Sequence, residues 1–271
     1  HVLIVGGGFS GTLLAINILR HDGPRVTLVE RRPDQLARGV AYSAADGSHL
    51  LNVRAANMSA FPDVTDHFAR WLQERALGNG RSFVPRTLYG SYLRELLDAA
   101  LAQAGDRLAL TQDETVAIDE DEAGMVAHLS GGRVLHADRA VLALGNLPPH
   151  APPGIDADAL PADLYCDDPW SADIARDLDA TDEVLLLGTG LTAVDAALLL
   201  HQRGFAGRIT AMSRRGLQPR AHDDAQPAVA RVVVAGHPLA EDRRRHAAQV
   251  DVRAAQQQPP ARGAGRHDAD L

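Results

Sequence analysis

The chain has 271 residues, 45% hydrophobic, with a formal net charge of −8, no lysine and one cysteine, Cys166. That length supports one large domain or two ordinary ones, each with its own core. The charge argues against a nucleic-acid partner, the missing lysine removes Schiff-base and Walker-loop chemistry, and the single thiol excludes an internal disulfide or a C-x-x-C redox pair.

Val2-Leu3-Ile4-Val5 reads as a short buried parallel strand. Gly6-Gly7-Gly8-Phe9-Ser10-Gly11 follows and fits G-x-G-x-x-G at Gly6, Gly8 and Gly11. Leu13, Leu14, Ile16, Ile18 and Leu19 then mark a helix, and a second strand over 26–29 ends on Glu30. The acid lies about 20 residues beyond the glycines, the spacing of a dinucleotide-binding unit. In that reading Gly6 allows the tight turn, Gly8 the close approach of a pyrophosphate, and Gly11 the packing of helix on strand. The N–H groups of Phe9, Ser10 and Gly11 face the phosphates, and Glu30 accepts from ribose hydroxyls. The alternative is a glycine-rich turn in another kind of α/β protein. No basic region precedes the apolar run and Gly6–Gly11 interrupts it, so it is not read as a signal peptide. No apolar run is long enough to span a bilayer, and the expected location is cytoplasmic.

Residues 31–50 are polar and turn-rich. Residues 49–62 are irregular and fit either a loop crossing near a ligand or an ordinary packed loop. A short amphipathic helix is expected over 66–76, capped by Thr65 or Asp66, with Phe68, Trp71 and Leu72 inside. A longer helix is expected over 87–104, with Arg94 and Asp98 as a surface pair. Strands over 108–111, 115–118, 125–129 and 133–136 read as a small antiparallel meander. Residues 139–144 then form a buried strand that runs into Gly145, whose lack of a side chain fits close approach to a ligand.

Residues 151–181 are rich in Pro, Asp and Ala and read as a linker with one or two short helical pieces. Trp170 in it fits a core anchor better than a cofactor lid, and Cys166 reads as an inert small hydrophobe. The opening pattern then recurs: a strand over 183–187, Gly188-Thr189-Gly190-Leu191-Thr192-Ala193 as G-x-G-x-x-A, a helix over 194–202 stopped by Gly204 or Gly207, and a strand over 208–212. No acid ends this strand; Ser213-Arg214-Arg215-Gly216 stands there. Arg214 and Arg215 fit a 2′-phosphate, which favours NADPH and leaves NADH open; the alternative is two solvated surface arginines.

Two dinucleotide turns with a meander between them resemble the two-dinucleotide-binding-domain flavoproteins. More narrowly, Gly39-Val40-Ala41-Tyr42, His49-Leu50-Leu51-Asn52-Val53, Met58-Ser59-Ala60-Phe61-Pro62, Asp168-Pro169-Trp170 and Gly188-Thr189-Gly190-Leu191-Thr192-Ala193-Val194-Asp195 resemble a bacterial FAD/NAD(P)-binding oxidoreductase family. It is related to asparagine N-monooxygenases and FAD-dependent urate hydroxylases. The resemblance covers residues 1–220. It implies FAD, NAD(P)H and O2, a small-molecule substrate, a strand over 141–145 passing near the FAD, and Asn52 as a flavin-pocket residue.

The expected fold is α/β. A Rossmann-like FAD domain occupies 1–150, with a helical insertion over 45–105 and the meander over 107–136. A linker over 151–181 leads to an incomplete second Rossmann unit over 182–220. Residues 221–271 lack Ile, Phe, Tyr, Trp and Met, and the Gln256–Gln258 run and the Arg/Gly/Ala stretch beyond it would not form a core, although Val232-Val233-Val234 could add one strand. His222, His237, His246 and His267 lack metal-ligand spacing, so no metal is expected. A disordered or aberrant tail is expected there, from a truncation or a reading-frame change near Ala221, together with missing residues before His1. The expected activity is an FAD- and NAD(P)H-dependent monooxygenase; the alternative is a nucleotide-binding fragment without turnover.

Overall fold

The first unit is built on four parallel strands whose sequences leave no polar face. In the computed structural model, which describes residues 1–43, 49–147, 149–161, 163–169, 174, 176–219, 233–236 and 246–251, this unit is His1–Pro153 and a second is Gly154–Leu271. Its strands are β1 (Val2–Val5), β2 (Val26–Glu30), β3 (Leu108–Gln112) and β7 (Arg139–Leu142), in the order β3-β2-β1-β7. All neighbours are parallel, with Val2 opposite Val26 on one side and Arg139 on the other. Parallel sheets need cover on both faces, which explains the continuous apolar run of β1.

One face carries Ile4, Val26, Leu28 and Leu108 into a core with α1 (Phe9–Arg20) and α4 (Arg86–Ala104). Within α4, Tyr89, Tyr92, Leu93 and Leu97 are buried. The helix forms part of the crossover from β2 to parallel β3. Before it come α2 (Gly39–Ser43) and α3 (His67–Glu74), the latter burying Phe68, Trp71 and Leu72 as its pattern predicts. The other face presents Leu3, Val5 and Val29 to Ala127, Leu129 and Ala137 of an antiparallel sheet. That sheet is β4 (Thr115–Asp121), β5 (Gly124–Leu129) and β6 (Val134–Ala137).

Three details differ from the sequence reading. Leu108–Gln112 is not the first strand of the meander but pairs parallel with β2. The period of two in its side chains is the same for either pairing, and only the helical crossover distinguishes them. Asp66 stands at the N-cap of α3 but makes no capping bond; its φ of −98° and ψ of 5° are not extended, and its carboxylate meets Arg70 at 3.2 Å instead. Cys166 is exposed, not packed; partial burial and the carboxylates of Asp167 and Asp168 raise its thiol pKa. Arg94 and Asp98 do pair, at 2.9 Å.

The second unit pairs β8 (Glu183–Leu187) parallel with β9 (Arg208–Ser213), joined by α5 (Leu191–Gln202). Ala197, Leu200, Phe205 and Ile209 form its core with Val184 and Leu186. Gly204, at φ +90°, ends α5 in a Schellman arrangement: its N–H donates to His201 and that of Phe205 to Leu200, both at 3.0 Å. Two further strands, β10 (Val233–Gly236) and β11 (His246–Asp251), extend the order to β10-β11-β9-β8, with β11 antiparallel to β9. Among the described residues of the 151–181 stretch, the short helical piece is a 3-10 turn at Ala157–Ala159. Trp170 and the rest of the 221–271 stretch lie outside the described residues.

Leu93 of α4, fully buried in the core that also holds Ile4, Val26, Leu28 and Leu108, gives a direct test of this packing. Leu93→Ala should lower the stability of the first unit by about 2–5 kcal/mol in urea unfolding followed by Trp71 emission, with Trp170 replaced by Phe in both proteins. A loss within experimental error of zero would contradict the packing.

Candidate functional site

The glycine turn leaves β1 at Gly6, whose φ of +102° suits glycine. A Cβ there would lie 2.3 Å from the carbonyl oxygen of Ala143, so the turn and the chain leaving β7 meet backbone to backbone. A Cβ on Gly11 would lie 1.9 Å from the Gly6 oxygen and 3.1 Å from Ile4 Cγ2, which is why α1 can begin so close to the turn. Gly8 is the N-cap of α1 and its side is closed by a second glycine, Gly39, whose Cα would be 3.1 Å from a Gly8 Cβ. Buried Thr12 donates its hydroxyl to the Gly7 carbonyl at 2.8 Å.

The donors of the turn divide into two sets. Gly6 N–H donates to Val29 O at 2.9 Å and Gly7 N–H to Glu30 Oε2 at 2.8 Å, so both are used within the fold. The N–H groups of Phe9, Ser10 and Gly11 lie in the first turn of α1, where helix geometry provides no intrahelical acceptor. The helix dipole places partial positive charge at the same end. This arrangement suits an anion such as a pyrophosphate.

Glu30 is half-buried at the end of β2 and is held at both oxygens. Oε2 accepts from Gly7 and Oε1 from the N–H of Arg32, each at 2.8 Å. A carboxylate has about four acceptor positions, so capacity remains for hydroxyl donors. The carbonyl of Glu30 accepts from Asp113 N–H at 3.2 Å, which ties the end of β3 to it. Asp113 in turn accepts from Ser130 Oγ and Glu114 N–H, both at 2.8 Å, and from Gly131 N–H at 3.3 Å. The Ser130 hydroxyl first, then these N–H groups, hold the Asp113 carboxyl below its ordinary value. An open cavity of ≈470 Å³ lies here, lined by Arg31, Arg32, Gln112, Asp113, Glu114 and Ser130.

The structure therefore gathers Gly6, Gly8, Phe9, Ser10, Gly11 and Glu30 in one place. The chain after β7 joins them at Ala143, and Gly145, at φ +72°, follows with open space where a side chain would be. Asn52 is exposed on a loop that Arg86 pins to the start of α4: Arg86 Nε donates to Leu50 O and Nη2 to Asn52 Oδ1, both at 3.0 Å. Sequence reasoning gave no individual role to Gly7, Thr12, Gly39 or Asp113. Gly7 was visible as the middle of three consecutive glycines and Gly39 as part of a motif; Gly39 and Asp113 act through contacts distant in sequence, and Thr12 through a bond five residues back to Gly7.

In the second unit Gly188, at φ +133°, leaves β8 and Gly190 caps α5. A Cβ on either glycine would meet nothing within 4 Å, so the turn is open. Ala193, at the third position, donates its N–H to Gly190 O at 3.1 Å. Arg214 and Arg215 are both exposed just beyond β9, and among the described residues neither forms an ion pair.

A family model described as FAD-NAD(P)-binding matches residues 3–147. YdhS of Escherichia coli (strain K12) is 24% identical over 216 residues, covering 73% of this chain and 38% of YdhS. The L-aspartate N-monooxygenase (nitrosuccinate-forming) of Streptomyces davaonensis is 28% identical over 204 residues, covering 61% of this chain and 31% of that protein. The solved structure of OTEMO in complex with FAD and NADP shares the fold, with a TM-score of 0.55 at 17% identity over 79% of this chain and 38% of that one. The chain thus spans between three and four tenths of the length of these relatives.

Glu30→Ala removes the acceptor of two backbone donors and should weaken FAD binding by about 10²-fold in a flavin-fluorescence titration. An unchanged affinity would contradict the role of the acid. Asp113 stabilises the fold above the ordinary carboxyl value of 3.8, and that contribution is lost as the pH falls through its lower folded value. Asp113→Asn should therefore flatten the acid limb of the urea midpoint measured below about pH 4.

Proposed function

The chain belongs to the FAD-NAD(P)-binding family, and from that premise we propose that it is part of an FAD-dependent oxidoreductase that draws reducing equivalents from NADPH. The observation that carries this reading is Glu30, fixed at both carboxylate oxygens beside the open N-terminus of α1. FAD fits the residues present: its pyrophosphate suits the Phe9, Ser10 and Gly11 donors, and its ribose suits Glu30. An acid at that position repels a 2′-phosphate, which favours FAD over NADPH in the first unit.

The second unit has no acid at the corresponding position. Ser213 stands where Glu30 stands in the first, Arg214 and Arg215 follow it directly, and Gly188, Gly190 and Ala193 form the turn, which supports NADPH there. FAD held by Phe9, Ser10, Gly11 and Glu30 would supply the hydride-accepting and O2-activating chemistry of such an enzyme. The chain's own residues bind and orient the nucleotides. The resemblance of the motifs and the aspartate N-monooxygenase relative support a monooxygenase that hydroxylates a small molecule. One cysteine in the chain supports a reducing, cytoplasmic setting.

A second reading is a stretch that holds nucleotide without turnover. The two separate on one assay. NADPH added without oxygen to the flavin-loaded protein should bleach its visible absorbance, and Arg214→Ala with Arg215→Ala should weaken NADPH far more than NADH. A flavin that stays oxidised would favour the second reading, and equal losses for both nucleotides would remove the assignment to NADPH.

A further inference from the structure

The second glycine turn contains a buried side chain that nucleotide binding by itself does not call for. Thr189, the residue between Gly188 and Gly190, is 8% exposed. Its Oγ1 hydrogen-bonds to the carbonyl of Leu217 and lies 2.8 Å from Ser213 Oγ. Gly216 N–H donates to that same Ser213 Oγ at 3.1 Å, and Gly216 turns at φ +60°. Gly188 N–H donates to Met212 O at 2.8 Å, so turn and strand end are joined by backbone as well. The segment from Ser213 to Leu217 is therefore a loop closed at both ends on Thr189, and Arg214 and Arg215 lie at its crest.

This geometry matters because exposed arginines are flexible. A phosphate gains little from a guanidinium whose backbone wanders, since each ordered side chain costs conformational entropy. Tying the loop to the buried hydroxyl fixes the two Cα positions relative to the turn that would hold the pyrophosphate. We propose that Thr189 is a positioning residue for 2′-phosphate recognition, acting through Ser213 and the Leu217 carbonyl on Arg214 and Arg215. The inference rests on the assignment of the second unit to NADPH.

The probes are 2′,5′-ADP and ADP, which differ in the 2′-phosphate, with affinities measured by calorimetry on the full chain. The readout is the ratio of the two affinities, because a general loosening of the turn weakens both probes alike and leaves the ratio in place. Thr189→Val should lower the preference for 2′,5′-ADP by about tenfold, the worth of about one net hydrogen bond. Thr189→Ser, which keeps the hydroxyl, should retain it, and Ser213→Ala should lower it in the same direction. Should Thr189→Val fail to fold, Ser213→Ala and Thr189→Ser decide the matter. An unchanged ratio in Thr189→Val and Ser213→Ala, alongside a collapsed ratio in Arg214→Ala/Arg215→Ala, would overturn the positioning role and leave the NADPH assignment standing. No preference in the wild type, or none lost in the arginine double variant, would overturn that assignment and the inference with it.

Discussion

Gly7 N–H and Arg32 N–H both end on the carboxylate of Glu30, and the first unit's site depends on that convergence. The bond from Gly7 closes the turn across to β2; the bond from Arg32 fixes the chain as it leaves that strand. With both made, the acid has a set position beside the open end of α1. Short of proline, substitution leaves a backbone donor in place, so the carboxylate is the sensitive partner. Its loss would leave two N–H groups to find other acceptors.

The rest of the unit keeps that convergence in place. Gly11 against the Gly6 carbonyl sets how near α1 stands to β1, and Ala143 against Gly6 sets how near the end of β7 comes. β1 lies between β2, which follows it through α1, and β7, which reaches it from the meander, so the strand connections diverge at the C-terminal edge of β1. In open α/β sheets a ligand crevice forms at such a point. The meander contributes through Asp113, which joins the Ser130–Gly131 turn to the end of β3 while its own N–H holds Glu30.

What the sequence makes legible here is what is local. The strand, the glycines at Gly6, Gly8 and Gly11, the helix and the acid lie within thirty residues, and the second turn repeats the order at Gly188, Gly190 and Ala193. The placement of Leu108–Gln112 was not legible, because side-chain alternation looks the same at a parallel edge and in a hairpin. The approach of Gly39 to Gly8 and the closing of the Ser213–Leu217 loop on Thr189 were not legible either. Both are contacts between segments that share no pattern, and they follow only from the fold that brings those segments together.

Flavin retention reports directly on whether Glu30 and the α1 N-terminus hold FAD. The protein is mixed with excess FAD, passed through a desalting column and examined for visible absorbance, with NADH as a parallel ligand. FAD should be retained at about one equivalent, since an acid-ended β2 beside an open helix N-terminus suits its unphosphorylated ribose and its pyrophosphate. No retention of FAD, whether or not NADH is held, would contradict the assignment of FAD to the first unit.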